Sequence, residues 1–386
     1  MNGMAISFYV HIPFCRKKCH YCDFNSYAGL EELFQPYVEA LAKEISYLAQ
    51  FPEPEAGETL YFGGGTPSLL PPELIGKVIE RIREEFGLLP DAEITLEANP
   101  GTVDKSSLEA LRGMGVNRLS LGAQSFHEDE LALLGRIHSP EEIRKAFLDA
   151  REAGFGNINL DFIYGIPFQS LEKWRITLEK ALELAPEHLS LYALTIEEGT
   201  PLAQRVASGE IPRPDEDLAA DMYCLAEEML EEAGYEHYEI SNWAKPGFAC
   251  RHNLRYWLNL PYLGFGAGAH SFRWGMRWHN VLEPREYICI LSSPEIEGFP
   301  SPVACDVEPI TPSMEMAETV ILGLRLVKEG VSFEGFRRRF GRDFWEVYGP
   351  QAEELLELGL LERSEMGIRL TPRGRLLGNE VFQKFL

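Results

Sequence analysis

Short apolar runs alternate with amphipathic segments along the first part of the chain. The apolar runs have the length of strands and cover residues 5–12, 59–62, 94–97, 118–122, 158–163 and 189–195. The segments between them repeat apolar residues at helical spacing and cover residues 31–50, a stretch beginning at Pro71 or Pro72, and residues 104–113, 139–154 and 170–185. Ser139 and Glu142 form a capping box at the start of one such helix. The pattern therefore predicts six strand–helix units.

This alternation predicts the fold class. Buried strands that alternate with helices form parallel sheets, and six units suit an α/β fold with a partial, TIM-like (βα)6 barrel rather than a closed eight-stranded one. Ligands of such folds collect at the carboxyl ends of the strands. The unusual residues of this chain fall at those ends: a cysteine-rich loop at 13–24, the glycines 63–65, and Glu97, Gln124 and Asp161. We therefore expect these residues to lie together in one functional site at the carboxyl-terminal rim of the barrel.

The pattern changes after residue 200. A long amphipathic helix is predicted at 215–233, and residues 235–240 predict a further strand at the edge of the sheet. Residues 243–282 are rich in glycine and aromatic residues, and their spacing matches neither a helix nor a strand. Proline and glycine punctuate residues 294–312, which we interpret as a linker.

The C-terminal tail has a pattern of its own. Three helices, a hairpin turning near residues 365–367 and a last helix follow one another, as in a winged helix. We therefore expect a barrel at 1–240, a covering segment with its linker at 241–304, and a small winged-helix-like α+β domain at 305–386.

Composition excludes several classes of protein. The chain has 386 residues, 45% of them apolar, which allows one large domain and a small one. It has no apolar run of about 18 residues and no basic, apolar leader at residues 1–6, so we expect neither a membrane span nor secretion. The net charge of −24 opposes binding to nucleic acid. The tail from 305 has 11 Lys and Arg against 14 Asp and Glu, so Arg337–Arg339 does not make it a basic DNA-binding domain.

Three of the seven cysteines, Cys15, Cys19 and Cys22, have the spacing C-x3-C-x2-C just after the first predicted strand. Thiolates suit iron–sulfur clusters, and three of them leave one iron of a four-iron cluster without a protein ligand. A zinc site is the alternative, with His20 completing it only in a strained geometry. A disulfide framework is disfavoured, because unpaired cysteines fit a reducing, cytoplasmic location. The remaining four cysteines have no paired spacing and are interpreted as ordinary thiols.

Other candidate residues stand at strand ends. The run Gly63–Gly65 lets backbone groups approach a ligand closely, and it lacks the Lys-Ser/Thr ending of a P-loop. Glu97 and Asp161 interrupt apolar strands, and they either bind a ligand or bond to nearby backbone. Arg136, twelve residues after Gln124, can pair with a carboxylate.

Five motifs together resemble the HemN/HemW family of the radical S-adenosylmethionine (SAM) superfamily, and the resemblance covers nearly the whole chain. The motifs are Tyr9–Cys15, Gly63–Pro67, Glu97–Pro100, Gly122–Ser125 and Asn159–Pro167. The resemblance implies a [4Fe–4S] cluster on Cys15, Cys19 and Cys22, whose fourth iron is chelated by the amino and carboxylate groups of SAM. It also implies a set of SAM contacts, which are Tyr9, Gly64, Gly65, Thr66, Glu97, Gln124, Arg136 and Asp161.

Three features distinguish the branches of this family. The oxygen-independent coproporphyrinogen III dehydrogenases have a fourth cysteine two residues after the third, where this chain has Phe24, and a longer N-terminal segment. The element at 252–257, H-N-x-x-Y-W, resembles the HemW-type haem-chaperone branch. It implies that residues 241–304 bind haem and that His252 ligates its iron. A His that only forms hydrogen bonds is the alternative interpretation, and His237, His270 and His279 are other possible ligands.

The resemblance leaves two functions open. A haem chaperone would bind haem, the cluster and SAM and pass haem to acceptor haemoproteins, membrane respiratory enzymes being candidates. A radical SAM enzyme would instead cleave SAM and use the 5′-deoxyadenosyl radical to abstract hydrogen from a porphyrinogen or a related substrate. Phe24 argues against coproporphyrinogen III dehydrogenase activity but not against every radical reaction.

Overall fold

Most strands belong to one sheet in the computed structural model, which describes residues 5–51 and 56–386. The strands are β1 Ile6–Ile12, β2 Phe14–Cys15, β3 Tyr27–Ala28, β4 Gly57–Gly64, β5 Leu88–Ala98, β6 Arg118–Gln124, β7 Ile158–Tyr164, β8 His188–Ala193, β9 Glu236–Glu239, β10 Asn242–Ala244, β11 Tyr262–Phe265, β12 His270–Arg273, β13 Met276–Asn280, β14 Ala304–Pro309, β15 Val331–Ser332, β16 Leu361–Arg363 and β17 Gly367–Leu370. The α-helices are α1 Phe34–Leu48, α2 Pro72–Glu85, α3 Lys105–Gly113, α4 Glu128–Leu134, α5 Pro140–Glu152, α6 Leu171–Leu184, α7 Pro201–Ala207, α8 Glu216–Glu232, α9 Arg251–Trp257, α10 Pro284–Ser292, α11 Pro312–Gly323, α12 Phe333–Phe340, α13 Phe344–Glu357, α14 Pro372–Leu376 and α15 Gly378–Phe382.

The centre of the sheet is a partial α/β barrel. Strands β1, β4, β5, β6, β7 and β8 lie side by side and parallel, with helices between successive strands. This confirms the six predicted strand–helix units, and the capping box at Ser139 is present at the start of α5. The sheet is linear, with β14 at one end and β9 at the other, so within the described residues the barrel stays open.

The two faces of the barrel strands differ sharply. Residues such as Phe8, Phe62 and Leu119 are fully buried against the helices and form the main apolar core. Alternate residues point to the inner face, and many of these are polar: Thr95, Arg118, Ser120, Asn159, His188 and Ser190 are buried there. Buried polar groups need hydrogen-bond partners. The inner face of the sheet is therefore a network of hydrogen-bonded polar side chains rather than a second apolar core.

Residues 243–282 are regular, so the expectation of an irregular segment is wrong. Strand β11 pairs parallel to β1, and β12, β13 and β14 extend the same sheet in antiparallel order. Residues 294–312 were interpreted as a linker, but part of this stretch forms strand β14. Buried Glu44 of α1 accepts hydrogen bonds from the Gly266 amide (2.8 Å) and the Asn280 side chain (2.7 Å), which ties this extension to the barrel. The division at 241 remains a prediction, although one sheet runs through both parts.

The tail has its own apolar core. Residues from Val320 to Phe385 form a cluster separate from the main core, and β16 and β17 form the hairpin that was predicted near 365–367. The tail contacts the barrel through the backbone bridge between Glu239 and Leu326 and the pair of Arg375 with Glu227 (2.6 Å). No helix in the described part of the chain is long and apolar enough to cross a bilayer.

Candidate functional site

The three cysteines lie on a loop at the carboxyl end of β1. Cys15, Cys19 and Cys22 are all partly exposed and free. The loop between them is fixed to the rim, because the His20 amide donates to the Leu134 carbonyl (2.9 Å) and the His20 carbonyl accepts from the Leu202 amide (2.9 Å). The three thiols are therefore held at one place without a disulfide.

The surroundings of these sulfurs fit a cluster. Thr66 Oγ1 donates to Cys15 Sγ (3.7 Å), and Arg136 Nη1 donates to Cys19 Sγ (3.5 Å), so both sulfurs accept a hydrogen bond. Within the described residues, no three His, Cys, Asp or Glu side chains converge on a point that one metal ion could occupy. Each cysteine of a four-iron cluster binds a different iron, so three thiols at one rim are compatible with such a cluster.

The glycine run packs directly on the cysteine loop. A Cβ atom added to Gly65 would lie 2.6 Å from the Phe14 carbonyl oxygen, and one added to Gly64 would lie 2.6 Å from the His11 ring. Gly64 also has φ of +113°, a conformation that side chains disfavour. The Thr66 amide donates to the Phe14 carbonyl (2.8 Å). The glycines are thus required for the contact between the ends of β1 and β4.

A cavity of about 430 Å³ opens beside the cysteines, within the range of about 300–1,000 Å³ for small-molecule sites. It lies at the carboxyl ends of the parallel strands, because the last residues of β4 to β8 line it. Ten of the twelve predicted site residues share this lining: Cys15, Cys19, Cys22, Gly64, Gly65, Thr66, Glu97, Gln124, Arg136 and Asp161. The structure therefore brings together residues that span 146 positions of sequence from Cys15 to Asp161.

Two carboxylates lie in the wall of the cavity. Glu97 accepts hydrogen bonds from the Tyr61 hydroxyl (2.8 Å) and the Gly64 amide (3.2 Å). Burial, together with the negative charge of Asp161, raises the pKa of Glu97 to about 7. Asp161 accepts from Ser120 Oγ (3.0 Å) and Asn159 Nδ2 (2.8 Å), and burial raises the pKa of Asp161 as well. Both carboxylates are oriented by neighbours while part of each faces the cavity.

Arg136 and Gln124 complete the opposite wall. Arg136 Nη2 donates to the Gly122 carbonyl (2.8 Å) and to Asn99 Oδ1, while its Nε is buried without a protein partner in the described structure. Gln124 has φ of +66° at a register shift between β6 and β7. This irregularity directs the end of β6 into the cavity, where an amide and a guanidinium can hold polar groups of a ligand.

The two remaining predicted residues lie outside the lining. The Tyr9 hydroxyl bonds to His11 Nδ1 (3.0 Å), and its ring stacks on Tyr61 with 6.2 Å between centroids. His252, on α9, is only 1% exposed. Its Nδ1 bonds to Thr59 Oγ1 (2.7 Å) and its Nε2 to the Tyr256 hydroxyl (2.9 Å), and burial with nearby positive charge lowers the pKa of His252 to about 3. Whether either residue contacts a cofactor remains a prediction.

The sequence interpretation missed several residues of the cavity. Tyr61, Asn99, Arg118, Ser120, Asn159 and Tyr192 line it too. Arg118 is 2% exposed, and its positive charge opposes the rise in pKa of both Glu97 and Asp161. A signal for some of them is present in the sequence, because Arg118 and Ser120 of β6, and Asn159 and Asp161 of β7, are polar residues two positions apart in otherwise apolar strands. Phe24, at the position of the expected fourth cysteine, also lines the cavity and is 63% exposed.

Profile comparison agrees with this geometry. The radical SAM superfamily profile matches residues 9–181, and the HemN C-terminal domain profile matches residues 310–377. The open α/β barrel, the cysteine loop and these matches define a radical SAM protein.

Relatives that match over nearly their full length identify the family within the radical SAM superfamily. The chain is 38% identical over 382 residues to heme chaperone HemW of Bacillus subtilis (strain 168), covering 98% of this chain and 99% of that protein. It is 36% identical over 390 residues to heme chaperone HemW of Escherichia coli (strain K12), covering 99% and 98%. The structure of the radical SAM enzyme coproporphyrinogen III oxidase (HemN) from Escherichia coli superposes with a TM-score of 0.85 at 26% identity, covering 99% of this chain and 90% of that one. The chain belongs to the HemW family.

Proposed function

We propose that this protein is a haem chaperone of the cytoplasm, which binds haem and transfers it to acceptor haemoproteins. The observation that carries the proposal is the full-length similarity to proteins named heme chaperone HemW. The exposed Phe24 supports it, because this position lacks the fourth cysteine expected of the coproporphyrinogen branch. Membrane respiratory enzymes are candidate acceptors.

The cavity residues have roles that follow from their chemistry. Cys15, Cys19 and Cys22 would hold a [4Fe–4S] cluster, which when bound supplies one-electron chemistry and an iron with no protein ligand. For SAM, the unpartnered Nε of Arg136 leaves a donor for the carboxylate. The backbone of Gly64, Gly65 and Thr66, together with Gln124, would receive the amino group and ribose.

Haem transfer tests this proposal directly. Purified protein reconstituted under anaerobic conditions is loaded with haem and mixed with an apo-haemoprotein acceptor, and the Soret band of each is followed. We expect one-to-one transfer faster than from haem in buffer. A protein that binds no haem, or holds it without release to any acceptor, would overturn the proposal.

A second function has a specific observation in its favour. The fold superposes closely on a coproporphyrinogen III oxidase, and ten of the twelve predicted site residues line the cavity. This protein would then act on a porphyrinogen or a related substrate. An anaerobic assay with coproporphyrinogen III, SAM and a reductant discriminates the two, since a vinyl-bearing product would favour the enzyme.

SAM affinity is expected to depend on pH through Glu97. Its pKa is raised to about 7, so below that pH the carboxyl is protonated and must lose its proton to accept hydrogen bonds from SAM on both oxygens. Each pH unit below 7 should therefore weaken binding by up to about tenfold, corresponding to about 1.4 kcal/mol. Above pH 7 the affinity should level off. Equilibrium dialysis of SAM measures this.

The control for this pH profile is Glu97→Gln, which keeps the shape of the side chain but does not titrate. It should bind SAM weakly, with little change between pH 6 and pH 8, on either side of the Glu97 pKa of about 7. If the wild-type protein and the Gln variant showed the same slope, another group would be responsible for the pH dependence.

A further inference from the structure

Arg118, at the start of β6, is a buried cation that lines the cavity. It is 2% exposed, its Nε is buried without a hydrogen-bond partner, and its guanidinium forms no ion pair with any residue that the structure describes. A guanidinium stays charged and carries five N–H donors, and leaving such donors unpaired in a buried place is costly. An unmatched cation of this kind therefore points to a bound acceptor that the protein itself does not supply.

Two further polar groups near Arg118 also lack partners. Thr95 of β5 is the register partner of Arg118, and its hydroxyl is buried without a hydrogen bond. Asn253, on α9, lines the cavity, and its side-chain amide forms no hydrogen bond among the described residues. Burial and then the positive charge of Arg118 lower the pKa of the preceding residue, His252, to about 3, so α9 lies close to Arg118. Unpaired donors from two strands and one helix therefore surround this part of the cavity.

Arg118 is separate from the place that we propose for the SAM carboxylate. Arg136 Nη2 donates to the carbonyl of Gly122 (2.8 Å), which is four residues further along β6. Four residues of a strand span about 13 Å. SAM has a single carboxylate, which the open iron and Arg136 would take. Arg118 therefore stays available for an acceptor on another molecule.

Helix α9 lies beneath Arg118, towards the amino ends of the strands. Glu93 of β5 holds the start of α9, because it accepts hydrogen bonds from the Arg251 and His252 amides (both 3.1 Å). Thr59 of β4, the register partner of Glu93, bonds through Oγ1 to His252 Nδ1 (2.7 Å). A ligand that reaches Arg118 therefore enters from the opposite end of the barrel, which is the rim that carries the cysteines.

Three carboxylates near Arg118 decide what it can bind. Glu93, Glu97 and Asp161 each accept hydrogen bonds from other groups, and none of them forms an ion pair with Arg118 in the described structure. Their negative charges stabilise the buried guanidinium but oppose an added anion. Burial, together with the charge of Asp161, raises the pKa of Glu97 to about 7, and burial raises the pKa of Asp161 as well. A proton taken up by one of these groups can therefore offset the charge of an incoming carboxylate.

We propose that Arg118 binds a carboxylate of a second ligand, which occupies the inner end of the cavity while SAM lies near the cysteines. Arginine and a carboxylate form two parallel, charge-assisted hydrogen bonds, which Thr95 and Asn253 can supplement. Two kinds of molecule carry this group: a tetrapyrrole such as haem, through a propionate side chain, and a small free carboxylic acid. The first source rests on the proposed haem-chaperone function, and the second does not.

The first test changes the ligand and leaves the protein intact. Reconstituted protein with bound SAM is titrated under anaerobic conditions with haem and with haem dimethyl ester, which has no free carboxylate. We expect the ester to bind at least about tenfold more weakly, as loss of hydrogen bonds to a charged group predicts, and this result would identify a tetrapyrrole as the source. Equal binding of haem and ester, with a saturable signal from sodium acetate in saturation-transfer NMR, would identify a small acid.

The second test changes Arg118. Arg118→Met should abolish the difference between haem and its ester, or the acetate signal, whereas Arg118→Lys should keep part of it, because lysine retains the charge without the planar fork. The control is Arg338→Met, because Arg338 is 76% exposed on α12 and pairs with Glu334 (3.5 Å). It should behave as the wild type. Far-UV circular dichroism reports on folding, and the ester comparison stands even if Arg118→Met does not fold.

The contrary results are distinguishable. If haem and its ester bind equally and acetate gives no signal that depends on Arg118, the guanidinium is hydrated only and the proposal is wrong. A wild-type protein that binds no haem would overturn the proposed chaperone function, and the acetate experiment would still decide whether Arg118 binds a carboxylate.

Discussion

Replacing Cys15, Cys19 or Cys22 singly by alanine is expected to abolish retention of an iron–sulfur cluster. Loss of even an outer-shell contact to a metal ligand costs roughly 10–100-fold in affinity, so loss of one of only three protein ligands should cost at least about 100-fold. The three thiols lie on one fixed loop with donors aimed at two of them, and the described lining of the cavity contains no fourth cysteine. Iron and sulfide content after anaerobic reconstitution, with the visible absorption spectrum, measures the effect.

The matched control is Cys224→Ala. Cys224 is exposed on α8 and distant in sequence from the loop, so this variant should keep the full cluster. Two results would contradict the interpretation: wild-type protein that carries zinc without sulfide, or a loop variant with undiminished iron and sulfide. Either would remove the basis for SAM binding at this cavity, because the open iron would not exist.

Replacing Gly65 by alanine is expected to weaken SAM binding by about tenfold or more, which corresponds to about 1.4 kcal/mol. The added Cβ would lie 2.6 Å from the carbonyl oxygen of Phe14 and 3.0 Å from its carbonyl carbon and amide nitrogen. These are backbone atoms, so the strain cannot be relieved by turning a side chain, and overpacking costs about 1–3 kcal/mol. The segment that must move carries Cys15. Cluster content should therefore fall together with SAM affinity.

Gly156→Ala is the control for that substitution. Gly156 lies between α5 and β7 with nothing within 4 Å of its added Cβ, so SAM affinity and cluster content should stay at the wild-type level. Calorimetric titration of reconstituted protein with SAM gives both affinities. Unchanged binding in Gly65→Ala would mean that the glycine run and the cysteine loop move independently, and that their close contact has no role in cofactor binding.

Local sequence patterns were sufficient to predict the strands and helices of the barrel. Strand β7 was predicted at 158–163 and is Ile158–Tyr164, because a short apolar run bounded by glycine permits little else. Local spacing was also sufficient for the cysteine loop and for Ser139 as a cap. The pattern predicts strand β5 at 94–97, but the strand begins at Leu88, because Pro90 and Asp91 interrupt the apolar pattern while Leu88 and Glu93 pair with Gly57 and Thr59 of β4.

The prediction of irregular structure over residues 243–282 is wrong for a related reason. Their glycines predicted irregular structure, yet Gly264 and Gly266 lie in or beside a strand because backbone approaches closely there. A Cβ atom on Gly264 would lie 2.1 Å from the His270 carbonyl oxygen, and one on Gly266 would lie 2.6 Å from the His11 carbonyl oxygen. A glycine that permits tight pairing with a distant strand cannot be told from a glycine in a loop by its neighbours in sequence.

The amino-acid sequence alone determined which chemical groups the chain can offer. These are three closely spaced thiols, a glycine run and polar residues at strand ends, and all of them are local properties. Which of these groups share one cavity, and whether His252 keeps a free ring nitrogen, depended on contacts between residues far apart in the chain. The hydroxyl groups of Thr59 and Tyr256 occupy both ring nitrogens of His252, although Thr59 is distant from it in sequence. Accessibility is a property of packing, and packing is long-range.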